Sequence, residues 1–207
     1  KNHYATLTNP KDISWLLNKL DKYNGSYEVN TALIIAPHVF LRPSELTGLL
    51  WEEIDFDANL IRIGSKRMKM SKTHIVPMSN QVFNILQGVS KYDVDSEFVF
   101  PTSRDRSKSI TTSSLRLALR SLGVEKEKFT THGFRHMAST RLNELGYRGD
   151  LIEIQLAHSQ SNKVRAAYNH AEHLQERKEM MQDWSNYLDN LKKKTQVFQS
   201  EYQQSLF

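Results

Sequence analysis

Hydrophobic residues recur at helical spacing along most of the chain. Between residues 8 and 23 the apolar side chains share one helical face, with Thr8 or Asn9 as the expected cap ahead of Pro10. Similar patterns predict helices at 30–40, 43–51, 79–90, 111–122, 132–146 and 172–191, and the apolar stretch DLIEIQLA (150–157) follows the helix at 132–146. Gly146 closes the helix predicted at 132–146 as a helix C-terminal glycine. The chain is therefore predicted to be mainly helical.

Two short stretches instead have the composition of β-strands. NLIRIG (59–64) and THIVPM (73–78) are rich in β-branched residues, and the basic stretch SKRMKMSK (65–72) joins them. The predicted fold is thus mainly α with a small antiparallel β-sheet, in the α+β class. The last amphipathic helix carries Trp184, which has two open interpretations, the core of this chain or a contact with a partner.

Length and composition are those of one globular domain. The chain has 207 residues, 39% of them hydrophobic, and contains no apolar run of the roughly 20 residues that span a bilayer. There is no secretory signal pattern. Cysteine is absent, which excludes disulfides and thiolate catalysis and fits a reducing compartment. Because the sequence begins without methionine, we expect it to be the C-terminal part of a longer protein.

The basic residues are clustered. The net charge is +5, and basic groups concentrate at 66–72, 104–108 and 192–194. Separated basic clusters suit an extended polyanion better than a small anion, so the charge pattern favours a nucleic acid.

Cleavage of a DNA phosphodiester by a tyrosine would need several of the residue types present here. A phenol with a pKa near 10 is a weak nucleophile, and the transition state gathers charge on oxygens that guanidinium groups bind in a fork. The leaving oxygen needs a proton donor, and histidines can move or share a proton. A tyrosine on an amphipathic helix is usually a packing residue with an exposed hydroxyl, so Tyr168 taken alone does not indicate a nucleophile and the surrounding motifs decide.

Four motifs in order resemble one family, the tyrosine recombinases or phage integrases. LRPSELTGLLWEEIDFD (41–57) resembles the first arginine box, and HGFRH (132–136) resembles the second, His-x-x-Arg. LAHS (156–159), followed by YNHA (168–171), resembles the third histidine and the nucleophile, with alanine at 157 where many members have glycine. MKMSKTHIVPMS (68–79) resembles the lysine-bearing hairpin. The resemblance spans about residues 8–188, and these sequence stretches are most similar to integrases of prophages and genomic islands.

The resemblance implies a role for each matching residue. Arg42 and Arg135 would bind the phosphate, Lys69 would protonate the 5′ oxygen, and Tyr168 would attack. His132 would assist proton transfer, His158 would bond a non-bridging oxygen, and Glu45 would hold Arg42 from one helical turn away. Lys66, Arg67 and Lys72 compete with Lys69 for its role, and spacing back from Pro77 favours Lys69.

The resemblance also implies partners and organisation. The fold would be that of a tyrosine recombinase catalytic domain, with DNA contacts from Lys66, Arg67, Lys72, Arg104 and Arg106. Residues 1–207 would be one catalytic domain, with a core at about 8–170 and a C-terminal helix and tail at 171–207 available for partner contact; the N-terminal DNA-binding domains would lie outside this stretch. The expected partners are double-stranded attachment-site DNA, three further copies in a tetramer on DNA (a monomer alone), a directionality factor and a host DNA-bending protein. No metal, cofactor or membrane is expected, and the location would be the bacterial cytoplasm, with the nucleoid.

Three other functions remain open at this stage. One is a topoisomerase with the same chemistry, and another is a DNA-binding module that kept the fold without catalysis. The third is a metallohydrolase using His132, His158, His170 and His173, although these lack compact metal-ligand spacing.

Overall fold

The computed structural model describes residues 5–68, 71–92, 95–158 and 173–204, with the side chains of the final helix described as far as Lys193. Its helices are α1 (Pro10–Leu20), α2 (Tyr27–Val39), α3 (Pro43–Thr47), α4 (Asn80–Tyr92), α5 (Thr112–Ser121), α6 (Gly133–Glu144), α7 (Gly149–Gln155) and α8 (Leu174–Gln204), and its strands are β1 (Ile54–Asp55), β2 (Leu60–Ile63) and β3 (His74–Pro77). The prediction of a mainly α protein with a small antiparallel sheet is confirmed.

Side-chain caps set where the helices begin. Asn9, one of the two expected caps, accepts a hydrogen bond from the backbone N–H of Lys11 at 2.9 Å and starts α1. Helix α2 begins earlier than the predicted residue 30, because the Ser26 hydroxyl accepts from the N–H of Val29 at 3.4 Å. The helix predicted at 43–51 ends at Thr47, and the chain continues through Gly48 into a 3₁₀ turn at Trp51–Glu53.

The sheet has one more strand than the sequence predicted. In the part of the chain that the structure describes, β1, β2 and β3 form an antiparallel sheet in that order, with Ile61 opposite Val76. The predicted pair is confirmed as β2 and β3. Strand β1 pairs with β2 over only two residues, too short to produce a detectable alternation in the sequence.

One hydrophobic core is built around α2, which packs against α1, α4, α5, α6 and α8, and Trp184 lies within it. Its side chain is 0% exposed, its Nε1 donates to the Pro37 carbonyl at 2.8 Å, and its ring meets Phe40 edge-on with centroids 5.8 Å apart. Of the two interpretations of Trp184, the structure supports the core of its own chain. Among the described residues, no helix is both long and apolar enough to cross a membrane.

Candidate active site

Arg42 is held rigidly at the start of α3. Pro43 occupies the first helical turn, and Arg42 is the residue that caps the helix. The carboxylate of Glu45, whose side chain is 4% exposed, accepts from the backbone N–H of Arg42 at 2.8 Å and from its Nη1 at 2.7 Å. One carboxylate therefore fixes both the backbone and the guanidinium of the same arginine, as the sequence predicted for Glu45.

Arg135 lies on the first turn of α6 and is 7% exposed. Its Nη1 donates to the Phe40 carbonyl, and its Nη2 donates to the Leu156 carbonyl at 2.6 Å. Phe40 ends α2 with φ at +57°, a conformation uncommon for a residue with a side chain. The guanidinium thus joins the end of α2 to the end of α7.

The end of α7 completes this arrangement. Ala157 has φ at +48°, and its carbonyl accepts from Arg42 Nη2 at 3.4 Å. His158 Nε2 lies 3.4 Å from Arg135 Nη2, and its Nδ1 lies 2.8 Å from Glu153 Oε2. Because a guanidinium only donates hydrogen bonds, Nε2 accepts here and Nδ1–H points to Glu153.

The alanine of LAHS, Ala157, has a backbone conformation that favours glycine. Glycine adopts this conformation without steric cost, whereas alanine does not. The departure from glycine noted in the sequence therefore lies at a backbone position that favours glycine, between the carbonyl that binds Arg135 and the histidine that follows.

His132 lies immediately before α6, three residues from Arg135. Burial lowers its pKa below the ordinary value, and the nearby positive charges of Arg135, His136 and Arg42 lower it further. The ring is therefore neutral near pH 7 and able to accept a proton. Gly133 follows it because a Cβ there would lie 2.8 Å from the Ala5 carbonyl oxygen.

Positive charge at this site is only partly compensated. Burial and the neighbouring Arg42 lower the pKa of Arg135 to about 10. Among the described residues, the Arg135 guanidinium donates hydrogen bonds to carbonyl oxygens and an imidazole, whereas Arg42 has a carboxylate partner. Two guanidinium groups and two histidines in one place form a site suited to a phosphate-sized anion.

Four of the six predicted catalytic residues lie in the described part of the chain. The structure brings Arg42, Arg135 and His158 into one hydrogen-bonded cluster and places His132 within electrostatic reach of both arginines. Lys69 and Tyr168 lie outside the described residues, so their predicted roles stay predictions.

The predicted DNA contacts differ in their surroundings. Lys66, Lys72 and Arg104 are exposed, and Arg106 is half-buried. Arg67 has partners within its own chain, since its guanidinium pairs with Glu53 and donates to the Glu45 carbonyl at 3.3 Å. Arg67 thus links α3 to the 3₁₀ turn that follows it. Its predicted contact with DNA stays a prediction.

Sequence reasoning missed Glu153 and the backbone acceptors of the two arginines. A carboxylate five residues before a functional histidine is a weak signal that could have pointed to Glu153. The carbonyls of Phe40, Leu156 and Ala157 had no signal, because every residue carries a carbonyl group.

Comparison with known proteins identifies a family for this chain. The family model described as "Phage integrase family" matches residues 7–175. The chain is 40% identical over 182 residues to prophage integrase IntS of Escherichia coli (strain K12), a match that covers 87% of this chain and 47% of that protein. It is 39% identical over 202 residues to the integrase of Enterobacteria phage P4, covering 90% of this chain and 46% of that protein. It thus spans about half the length of these relatives.

A solved structure shares the fold. The site-specific recombinase XerH bound to difH substrate superimposes with a TM-score of 0.58 over 81% of this chain and 51% of XerH, at 18% identity. The motifs, the arginine cluster and the family match all agree, and the chain belongs to the phage integrase family.

Proposed function

We propose that this chain is the catalytic domain of a site-specific DNA recombinase that integrates and excises mobile DNA through a 3′-phosphotyrosyl intermediate. The observation that carries the proposal is the joining of Arg42, Arg135 and His158 into one anion-binding cluster through the ends of α2 and α7. Membership of the phage integrase family and the integrase names of the relatives support it.

Arg42 and Arg135 bind the scissile phosphate before the chemistry begins. Their guanidinium groups are fixed by Glu45 and by carbonyl oxygens, so little reorganisation is needed as charge develops on the non-bridging oxygens. His158 is held through Nδ1 by Glu153, and its Nε2, beside Arg135 Nη2, forms a hydrogen bond with one of these oxygens.

Tyr168 is the nucleophile in this proposal. Its phenolic oxygen forms a bond to phosphorus while the bond from phosphorus to the 5′ oxygen breaks, leaving a 3′-phosphotyrosine and a 5′ hydroxyl. The phenolic proton passes to His132, whose lowered pKa leaves it neutral near pH 7. Lys69 gives its proton to the departing 5′ oxygen. Because the phosphate remains in an ester bond, the strand is rejoined by the reverse reaction without ATP.

The DNA partner is a duplex attachment site. Exposed Lys66, Lys72 and Arg104, together with Arg106, contact the phosphate backbone and give binding that weakens with salt. The fold neighbour XerH is named as bound to its difH substrate, which supports a DNA role for this fold. We propose a tetramer on DNA, a monomer alone, and a directionality factor and a host DNA-bending protein as accessory partners, in the bacterial cytoplasm with the nucleoid.

A nicked suicide substrate tests the proposal. In such a duplex the cleaved strand releases a short fragment, so rejoining is prevented and the covalent adduct accumulates on a denaturing gel. We expect an adduct with the chain as given and none with Tyr168→Phe, with unchanged adduct formation in chelator. A phenylalanine substitution removes one oxygen and little volume, so the fold is retained.

Other outcomes separate the alternatives. DNA binding with no adduct under any condition identifies a non-catalytic binding module. Loss of cleavage in chelator identifies a metallohydrolase. Relaxation of supercoiled DNA by the full-length protein, without recombination between sites, identifies a topoisomerase.

A further inference from the structure

Arg177 is a buried arginine outside the anion-binding cluster. It lies on the first turn of α8, and its side chain is 1% exposed. Its Nε and Nη2 donate to the side-chain oxygen of Gln155 at 3.1 and 2.7 Å, and Nη2 also donates to the Ile75 carbonyl. Gln155 is itself 0% exposed. One guanidinium thus joins three elements, α7, α8 and β3.

Each of these elements leads directly to a residue of the proposed mechanism. Gln155 ends α7 and is followed by the two carbonyls that bind Arg135 and Arg42, and then by His158. Ile75 lies on β3, six residues after Lys69 in the sequence. Arg177 itself follows Tyr168 by nine residues.

The energetics argue against stability as the purpose of this side chain. Burial alone lowers the pKa of Arg177 to about 10, with no compensating carboxylate among the described residues. Burying a charge costs several kcal/mol, which offsets much of what its hydrogen bonds contribute to stability. What an arginine offers is a planar fork that fixes several acceptors at once.

We infer that Arg177 is a positioning residue that sets the hairpin carrying Lys69 relative to the end of α7, where the phosphate is bound. This inference rests on the proposed function. Ile75 and Gln155 share one guanidinium, so β3 cannot slide along α7 without losing a hydrogen bond. The described strand of the hairpin is thereby tied to the end of α7, and the proton transfer proposed for Lys69 depends steeply on how that hairpin is placed.

The test compares two leaving groups in single-turnover cleavage of the nicked substrate. One substrate has the ordinary 5′ oxygen, and the other has sulfur in that bridging position. A thiolate leaves without being protonated because a thiol has a much lower pKa than an alcohol, so its departure does not need Lys69. The variants are Arg177→Met, which keeps the length, and Arg177→Lys, which keeps the charge but not the fork.

We expect Arg177→Met to slow cleavage of the ordinary substrate by about 10- to 100-fold and of the sulfur substrate by less than about 3-fold. Arg177→Lys shows the same selectivity with a smaller loss, because it retains one of the hydrogen bonds. Arg177→Met lowers the midpoint of urea unfolding, because the buried oxygens of Gln155 and Ile75 lose their donor, so the decisive readout is the ratio of the two cleavage rates and not stability. Exposed Arg148, which also bonds α8 through Glu176 at 2.8 Å, provides the control variant Arg148→Met, with both rates unchanged.

Equal slowing on the two substrates would overturn the inference, since it would reflect general loosening of the fold. A wild-type rate in Arg177→Lys would also overturn it, because charge and not the fork would then be sufficient. If Arg177→Met does not fold, Arg177→Lys alone tests the inference, through the ratio of its cleavage rates on the ordinary and the sulfur substrate. Failure of the unsubstituted chain to form any adduct refutes the proposed function instead.

Discussion

Removing the Glu45 carboxylate should leave the side chain of Arg42 less firmly positioned. Glu45 accepts two hydrogen bonds from Arg42, at 2.7 and 2.8 Å, in a pocket where its side chain is only 4% exposed. In Glu45→Ala both donors lose their acceptor, and in Glu45→Gln the amide keeps one acceptor oxygen but loses the charge. The exposed neighbour Glu52 provides the matched control, Glu52→Ala.

The expected cost follows from these contacts. Hydrogen bonds to charged groups contribute about 1.5–3 kcal/mol each, and breaking a buried ion pair typically costs about 3–5 kcal/mol. The Arg42 side chain is 20% exposed, so water partly replaces the lost partner. We therefore expect Glu45→Ala to lower the free energy of unfolding by about 3 kcal/mol and Glu45→Gln by about 1–2 kcal/mol.

Adduct formation should fall in the same order. A guanidinium that is no longer fixed loses part of the roughly 3 kcal/mol that a preorganised donor gives the transition state, so Glu45→Ala should cleave about 10- to 100-fold more slowly. Urea unfolding measures the first effect, and single-turnover adduct formation on the nicked substrate measures the second. If Glu45→Ala behaves like Glu52→Ala in both measurements, the reasoning is wrong.

Four further substitutions test other parts of the structure. Burial lowers the pKa of His38 from 6.5 to about 4, so the unfolded chain binds more protons between these values and stability falls as the pH decreases through them, by about 3 kcal/mol in total. His38→Asn should remove this component, seen as a smaller difference between urea unfolding at pH 7 and at pH 4. Gly133→Ala would place a Cβ 2.8 Å from the Ala5 carbonyl oxygen and should cost about 1–3 kcal/mol by urea unfolding, whereas Gly88→Ala, with nothing within 4 Å, should stabilise helix α4 by about 1 kcal/mol. Ala157→Gly, at φ +48°, should raise stability by about 0.5–1 kcal/mol in thermal unfolding.

Each of these has a clear contrary result. An unchanged pH difference in His38→Asn would assign the acid sensitivity to other groups. Equal effects of the two glycine substitutions would show that close approach does not matter at Gly133. A loss of stability in Ala157→Gly would show that the alanine is not strained in its left-handed conformation.

The sequence determined the local structure of most elements. Apolar periodicity and capping residues located α1, α4, α5 and α6 to within a few residues, because both signals act over one or two helical turns. Strand β1 was missed because two residues cannot show a period. The spacing of the motifs also identified the family, since each motif is a short run of fixed residue types.

Only the tertiary structure decided how the site is held together. Arg135 reaches the Phe40 carbonyl 95 positions away and the Leu156 carbonyl 21 positions away, and Arg177 reaches Ile75 across 102 positions. These acceptors are backbone carbonyl groups, which any residue sequence could supply. A sequence pattern records side-chain types, whereas the direction of a carbonyl depends on φ and ψ and on the packing of distant helices. The sequence therefore determined the residue types of the described site. Only the fold determined which carbonyl groups hold the arginines in place.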